Sequence, residues 1–370
     1  MTTPRVRRSL SPYAGLRRAP HVMLRRLLDA VPVDAAEFGE NSLVTRLEQR
    51  VAELLGKPRA LFFPSGTMAQ QVALRLHAER TGRHTFTAHR RNHLDNWEQR
   101  GYAVVHGLRY HPAGDATRML TTDDLAAVTE PVAALLIELP QREIGGVLPS
   151  WDELTGQVRW ARERGAAVHL DGARLWEAQP FYDRPHAEIA ALFDSVYVSL
   201  YKGLESMRGA VLSGSADFVD EASVWRTRLG GAITDAWPLA AGGLLGLDEV
   251  LGRMAEFRDH AVAIARAITA AGATHPPGVG ESLASSPIRV LPDPPQTAMF
   301  HAYLPVPAAA AVAAAKELLA ERGDELFYWA KQLAFPDRCL VEVTVGVNAL
   351  EFTPDEVADL FREVVVRALR

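Results

Sequence analysis

Apolar residues along this chain fall into runs of two kinds. Short, nearly unbroken apolar stretches occur at 60–63, 133–139, 166–171 and 195–200, each of strand length and without the alternation of a half-buried strand. Between them, helical patterns cover 70–79 and 151–164, and the second opens on Ser150 followed by Glu153, a capping-box signature. Strand alternating with helix predicts an α/β fold with a doubly wound, mostly parallel central sheet flanked by helices. Further along, the pattern changes. Residues 276–295 are rich in Pro, Gly and Ser and read as a loop or boundary, strand-like segments lie around 298–304 and 339–345, and 305–315 is alanine-rich. Thr353-Pro354-Asp355-Glu356 opens a last helix, with a cap, a first-turn proline and acids at the positive end of the helix dipole. The expected organisation is a basic N-terminal arm over 1–30, a large domain over 31–273 and a smaller C-terminal α+β domain over 274–370.

Composition narrows the class. With 370 residues, 48% hydrophobic, 23% charged and a net charge of −5, the chain is neither disordered nor collagen-like. Its one cysteine, Cys339, excludes an internal disulfide, and no apolar run approaches the ~18 residues of a spanning helix, so a cytoplasmic protein without a membrane partner is expected. No metal site is expected. Arg5, Arg7, Arg8, Arg17, Arg18, Arg25 and Arg26 all precede the first acidic residue, Asp29. That segment lacks a secretory h-region and has little aromatic interleaving, so it reads as a solvated or subunit-clasping arm and not as a nucleic-acid contact.

Three features carry chemistry. Ser65-Gly66-Thr67 follows one apolar run and precedes a helical pattern, and a small-residue turn at a helix N-terminus can hold a phosphate on its free N–H groups. Asp171 stands at the C-terminal end of a predicted strand, where open α/β sheets place ligand groups. Lys202, one of only four lysines, is expected to end the next strand, where an ammonium is costly unless paired or used covalently. Together they match pyridoxal 5'-phosphate, which needs a lysine for its Schiff base, a carboxylate against its pyridine nitrogen and a cradle for its phosphate.

These residues also carry a resemblance. Leu170-Asp171-Gly172-Ala173-Arg174 with Lys202-Gly203-Leu204 resembles the threonine aldolase branch of the fold-type I pyridoxal phosphate enzymes, the β-eliminating lyase family. Supporting matches run through 38–40, 51–57, 65–69, 93–98, 146–149, 225–226 and 230–231, about two thirds of the chain. The resemblance implies that Lys202 binds the cofactor aldehyde and that Asp171 faces the ring nitrogen. It further implies that Gly66 and Thr67 hold the phosphate, together with Ser65 or a basic residue of a neighbouring subunit. His93 would stack on the ring near the substrate, where an imidazole suits proton transfer, and Arg174 would clamp the substrate α-carboxylate. The family builds its sites at subunit interfaces, so a homodimer or homotetramer is expected.

The departures are equally specific. After the lysine the usual Gly-Ala-Pro gives way to Glu205-Ser206-Met207-Arg208-Gly209, and the loop after Glu138 lacks the common histidine. Thr234-Asp235 stands where Arg-Gln is usual, Glu342 takes the place of a carboxylate-holding arginine, and the usual opening Ser-Asp-Thr segment is missing. The activity implied is cleavage of the Cα–Cβ bond of a β-hydroxy-α-amino acid into glycine and an aldehyde, with Lys202, His93 and Asp171 catalytic. Arg208 and Glu342 join Arg174 as candidate substrate contacts. They motivate an alternative in which the same cofactor serves β-elimination, transaldol transfer or racemisation. A non-catalytic cofactor-binding scaffold ranks below both, since the chemistry residues are present.

Overall fold

The apolar runs become strands because their β-branched and large apolar side chains are buried on both faces of one sheet. The structure is a computed structural model, and it describes residues 6–13, 16–272 and 288–370. In chain order the strands of the first sheet are β1 Arg59–Phe63, β2 Thr85–His89, β3 Arg109–Ala113, β4 Ala134–Glu138, β5 Ala167–Gly172, β6 Ser195–Ser199 and β7 Ala210–Gly214. They lie side by side in the order β1-β7-β6-β5-β4-β2-β3. All neighbours are parallel except β7, which runs antiparallel to both β1 and β6.

Helices cover the faces. Those used below are α1 Leu43–Leu55, α2 Gly66–Thr81, α3 His93–Trp97, α4 Trp151–Glu163, α5 Leu175–Tyr182 and α6 Ala216–Arg228. Val72, Ala73 and Leu76 of α2, with Phe218, Val219 and Ala222 of α6, close over Leu61, Phe63, Tyr197 and Leu212 of the sheet. Ser150 caps α4 by accepting from the amide of Glu153, but only half of the expected capping box forms. The Glu153 carboxylate instead takes the amide and hydroxyl of Thr122, tying α4 to a neighbouring helix. The strand expected to reach Lys202 stops at Ser199. The next residue, Leu200, turns its amide to the carbonyl of Gly209, so Lys202 sits in a loop beyond the sheet edge.

Among the described residues, 26–252 form one unit, and those from 253 onward with those before 26 form the other. In the second, β8 Arg289–Leu291, β9 Met299–Leu304, β10 Lys331–Gln332 and β11 Cys339–Thr344 make an antiparallel sheet in the order β10-β11-β9-β8. Its helices are α7 Met254–Gly272, α8 Ala308–Arg322 and α9 Pro354–Ala368. Helix α7, assigned from sequence to the large domain, packs on α9 and on β8 and β9. The cap expected at Thr353 forms, and Glu356 completes it as a capping box. The basic segment is docked: Arg8–Ser9 pairs in parallel with Asp324–Glu325, and the Arg8 guanidinium forks onto the Asp324 carboxylate at 3.0 and 2.9 Å. Arg5 and most of the 276–295 stretch lie outside the described residues. Among the described residues no helix is long and apolar enough to cross a membrane.

Candidate active site

Parallel strands end in register, and that register builds the site. Glu138 at the end of β4 pairs with Asp171 of β5, and Asp171 pairs with Tyr197 of β6, which puts three polar side-chain positions in a row at the C-terminal edge of the sheet. Asp171 is fully buried, accepting from the side-chain amide of Gln70 at 2.9 Å and from the backbone N–H of Ala173 at 3.0 Å. Gln70 reaches it from the first turns of α2. A carboxylate so enclosed is set to face a cation.

Helix α2 starts immediately after β1, with Ser65 as its cap; the Ser65 hydroxyl accepts from the amide of Met68 at 3.2 Å. Gly66 is buried, while Ser65 and Thr67 are exposed. A methyl group on Gly66 would stand 2.1 Å from Tyr197 Oη, so the helix start approaches the sheet edge more closely than any side chain would allow. The cradle and the strand-end row are therefore contiguous.

Lys202 lies in the loop between β6 and β7, nine-tenths buried. That loop is fixed by Trp176, whose indole N–H donates to the carbonyl of Ser199 at 3.1 Å, and by the Ser199 hydroxyl on the carbonyl of Ala173 at 2.7 Å. Burial, assisted by the Arg174 guanidinium, lowers the Lys202 ammonium to about 8; Asp171 and Glu138 oppose this. His93 is the first residue of α3, held there by the Asn92 cap, whose Oδ1 accepts from the amide of Asp95 at 3.1 Å. Burial pushes its imidazole down to about 4, against the attraction of Asp171 and with the repulsion of Lys202, Arg142 and Arg174. His93 is therefore neutral at physiological pH and a weak base.

Arg174 caps α5, is buried, and stands 3.8 Å from Glu177, so a local carboxylate already faces it. Arg208 is exposed, with its guanidinium 5.2 Å from the centre of the Tyr201 ring; Lys202 Nζ is 5.7 Å from the same ring. Glu342 is half-buried on β11 of the second unit, opposite His301. Lys202, Asp171, His93 and Arg174 thus act on one another electrostatically, and Ser65-Gly66-Thr67 adjoins them through Tyr197.

Four side chains of this site were not singled out from the sequence. Glu138 is buried and pushed up to about 8, by burial first and by the charge of Asp171 next; the Gln141 amide donates to it at 3.1 Å. Its one sequence signal is a lone acid at the end of an apolar strand. Glu98 is raised to about 7, chiefly by burial. Gln70 and Tyr197 carry no local signal, because what matters about them is a partner far away in sequence.

A buried lysine close to neutrality, a buried and doubly hydrogen-bonded carboxylate, and a glycine-enforced helix start fit the aldehyde, ring nitrogen and phosphate of pyridoxal 5'-phosphate in turn. Fold and site together define a pyridoxal phosphate-dependent lyase of fold type I. A model of the β-eliminating lyase family matches residues 19–280, and the chain belongs to that family. It is 33% identical over 264 residues to a low specificity L-threonine aldolase of Escherichia coli K12, covering 69% of this chain and 78% of the relative. Among solved structures, a candidate L-allo-threonine aldolase of Listeria monocytogenes superposes with a TM-score of 0.86 at 34% identity, covering 98% of this chain and 97% of its own. A candidate aromatic amino acid β-eliminating lyase/threonine aldolase from Exiguobacterium also gives 0.86, at 33% identity and 98% of each chain.

Proposed function

We propose that this enzyme cleaves the Cα–Cβ bond of threonine-like β-hydroxy-α-amino acids, releasing glycine and an aldehyde. The observation that carries the reading is the pairing of Lys202, brought down to about 8, with Asp171, buried and doubly hydrogen-bonded at the adjoining strand end. Low specificity L-threonine aldolases among the relatives support it.

When bound, pyridoxal phosphate supplies the sink that takes up the electron pair of the broken bond. The protein does the rest. Lys202 presents an amine of which about a quarter is neutral at pH 7.5, against about one part in a thousand for an ordinary lysine. Asp171, fixed by hydrogen bonds from Gln70 and the Ala173 amide, would face the ring nitrogen and favour its protonated form. Arg174 takes the α-carboxylate of the substrate, exchanging its distant contact with Glu177 for a bidentate one. The β-hydroxyl proton goes to neutral His93 or to a water beside it. Ser65, Gly66 and Thr67 hold the phosphate at the start of α2.

Replacing Lys202 by Ala is expected to abolish both the visible absorption band and aldehyde release from threonine; a variant with wild-type turnover overturns the assignment. We further infer a homodimer or homotetramer located in the cytoplasm, with a neighbouring copy completing each site. Light scattering on the active protein tests the assembly, and a stable active monomer refutes it.

A further inference from the structure

The ring and the hydroxyl of Tyr197 have different neighbours. The ring, on β6, packs among Phe63, Ala73, Leu212 and Phe218, apolar groups that a phenylalanine would satisfy equally well. The hydroxyl extends past them to the start of α2. Its oxygen stands 2.1 Å from the point where any residue but glycine would carry a β-carbon at position 66. The first residue of α2 thus has no side chain, and a phenol oxygen takes that space. Tyr197 is only 2% exposed, and its hydroxyl makes no hydrogen bond among the described residues. A buried Tyr O–H ordinarily finds a partner, and leaving one unpaired is costly.

The helix side of the same spot also offers donors. Of the first amides of α2, that of Met68 is taken by the Ser65 hydroxyl, which leaves those of Gly66 and Thr67 without a partner inside the helix. Backbone and phenol donors therefore meet at one residue, an arrangement that suits an anion. We propose that Tyr197 is a phosphate-binding residue of the cofactor site: its hydroxyl donates to a phosphate oxygen held on the amides of Gly66 and Thr67. This rests on the reading of Ser65-Gly66-Thr67 as the phosphate cradle and adds to it a donor from the sheet.

The surroundings suit that role. Burial, followed by the charge of Asp171 on the adjoining strand, raises the phenol well above its ordinary value, so Tyr197 keeps the proton it has to give. The hydroxyl oxygen lies on the axis about which the ring flips, so ring flips leave it in place. The apolar core fixes the rest, and the donor is in position before any ligand arrives.

The test uses the full-length protein freed of cofactor, in phosphate-free buffer, beside Tyr197→Phe, which keeps the ring. Pyridoxal 5'-phosphate, and pyridoxal without the phosphate, are titrated by absorbance. The variant's dissociation constant for pyridoxal 5'-phosphate is expected to rise about tenfold or more, while that for pyridoxal stays within about twofold of wild type. Inorganic phosphate, competing with pyridoxal 5'-phosphate for the cradle alone, should lose affinity by a similar factor. In urea, the cofactor-free variant should be no less stable than the wild type, because no protein group loses a hydrogen bond. Undiminished affinity for pyridoxal 5'-phosphate or for inorganic phosphate overturns the proposal. So does an equal loss for pyridoxal, which would put the hydroxyl on the cofactor ring. A destabilised cofactor-free variant overturns it too, by showing that a protein acceptor takes the hydroxyl, such as the buried Gln70 Oε1, which has no partner among the described residues. Each of these results leaves the cofactor reading standing. If neither pyridoxal 5'-phosphate nor inorganic phosphate binds the wild type, the cradle reading falls and takes this proposal with it.

Discussion

Gly66→Ala is the sharpest single test of how the site is put together. The new methyl carbon would lie 2.1 Å from Tyr197 Oη, 2.5 Å from Cζ and 3.0 Å from Cε2. Nonbonded carbon contacts are comfortable near ~3.5 Å, so something must move by on the order of 1 Å. Tyr197 cannot yield cheaply, being buried among Ala73, Leu76 and Phe218. The start of α2 is therefore displaced, at an overpacking cost of about 1–3 kcal/mol. A displaced helix start also misplaces the amides and the Thr67 hydroxyl; losing one charge-assisted hydrogen bond to phosphate costs about 1.5–3 kcal/mol, tenfold or more in affinity. Urea unfolding reads the first effect and absorbance titration with pyridoxal 5'-phosphate the second. Tyr197→Phe should not rescue the variant, since it removes Oη but leaves the ring carbons in the way. Unchanged stability with affinity within about twofold of wild type, or rescue by Tyr197→Phe, would refute the reasoning.

Three further outcomes are expected. Gln70→Leu strips a donor from the fully buried Asp171 carboxylate and should cost about 1–3 kcal/mol of stability and weaken cofactor binding at least several-fold; an unchanged titration would contradict the role given to Gln70. His77 is buried, hydrogen-bonded to Ser195 at 2.7 Å and pushed down by burial to about 4. On acidification the unfolded chain binds that proton first, so its contribution is intact above pH 6.5 and is lost as pH falls toward 4, by about 1.4 kcal/mol per unit. The difference in unfolding free energy between wild type and His77→Gln should change accordingly between pH 6.5 and 4.5, and parallel curves would refute this. Arg8→Ala removes a forked pair with Asp324, whose side chain is only 10% exposed against 32% for Arg8, and is expected to destabilise the second unit by about 1–2 kcal/mol in thermal unfolding; no change would show the docked segment to be dispensable.

What the sequence disclosed was local. Asp171 and Lys202 were legible because each follows an apolar run whose length alone marks a buried strand, and Ser65-Gly66-Thr67 because a cap and a glycine announce a helix start. What it withheld depends on contacts between distant segments. Gln70 matters through Asp171 and Tyr197 through Gly66, and Gln99 and Arg100 give no warning of the left-handed backbone they adopt. Glu153 fits a capping box by spacing, yet Thr122 offered a better pair of donors. The end of β6 was misread because Leu200 and Tyr201 continue an apolar run that pairing has already abandoned at Ser199.

The reversed strand β7 sets the order in which the molecule can assemble. β1 lies at the edge of the sheet, and β7 is its sole neighbour there, so residues 59–63 have no strand to pair with until residues 210–214 are present. During synthesis the intervening parallel strands can pair among themselves while β1 and the helix start behind it remain unplaced. Such a long-range closure is entropically expensive and slow. The helix start proposed to hold the phosphate, though encoded early, is thus completed late, after Lys202 has already been made. A nascent chain released before residue 214 would carry the lysine and the aspartate but no finished seat for the cofactor, which ties capture of the cofactor to a fully closed sheet.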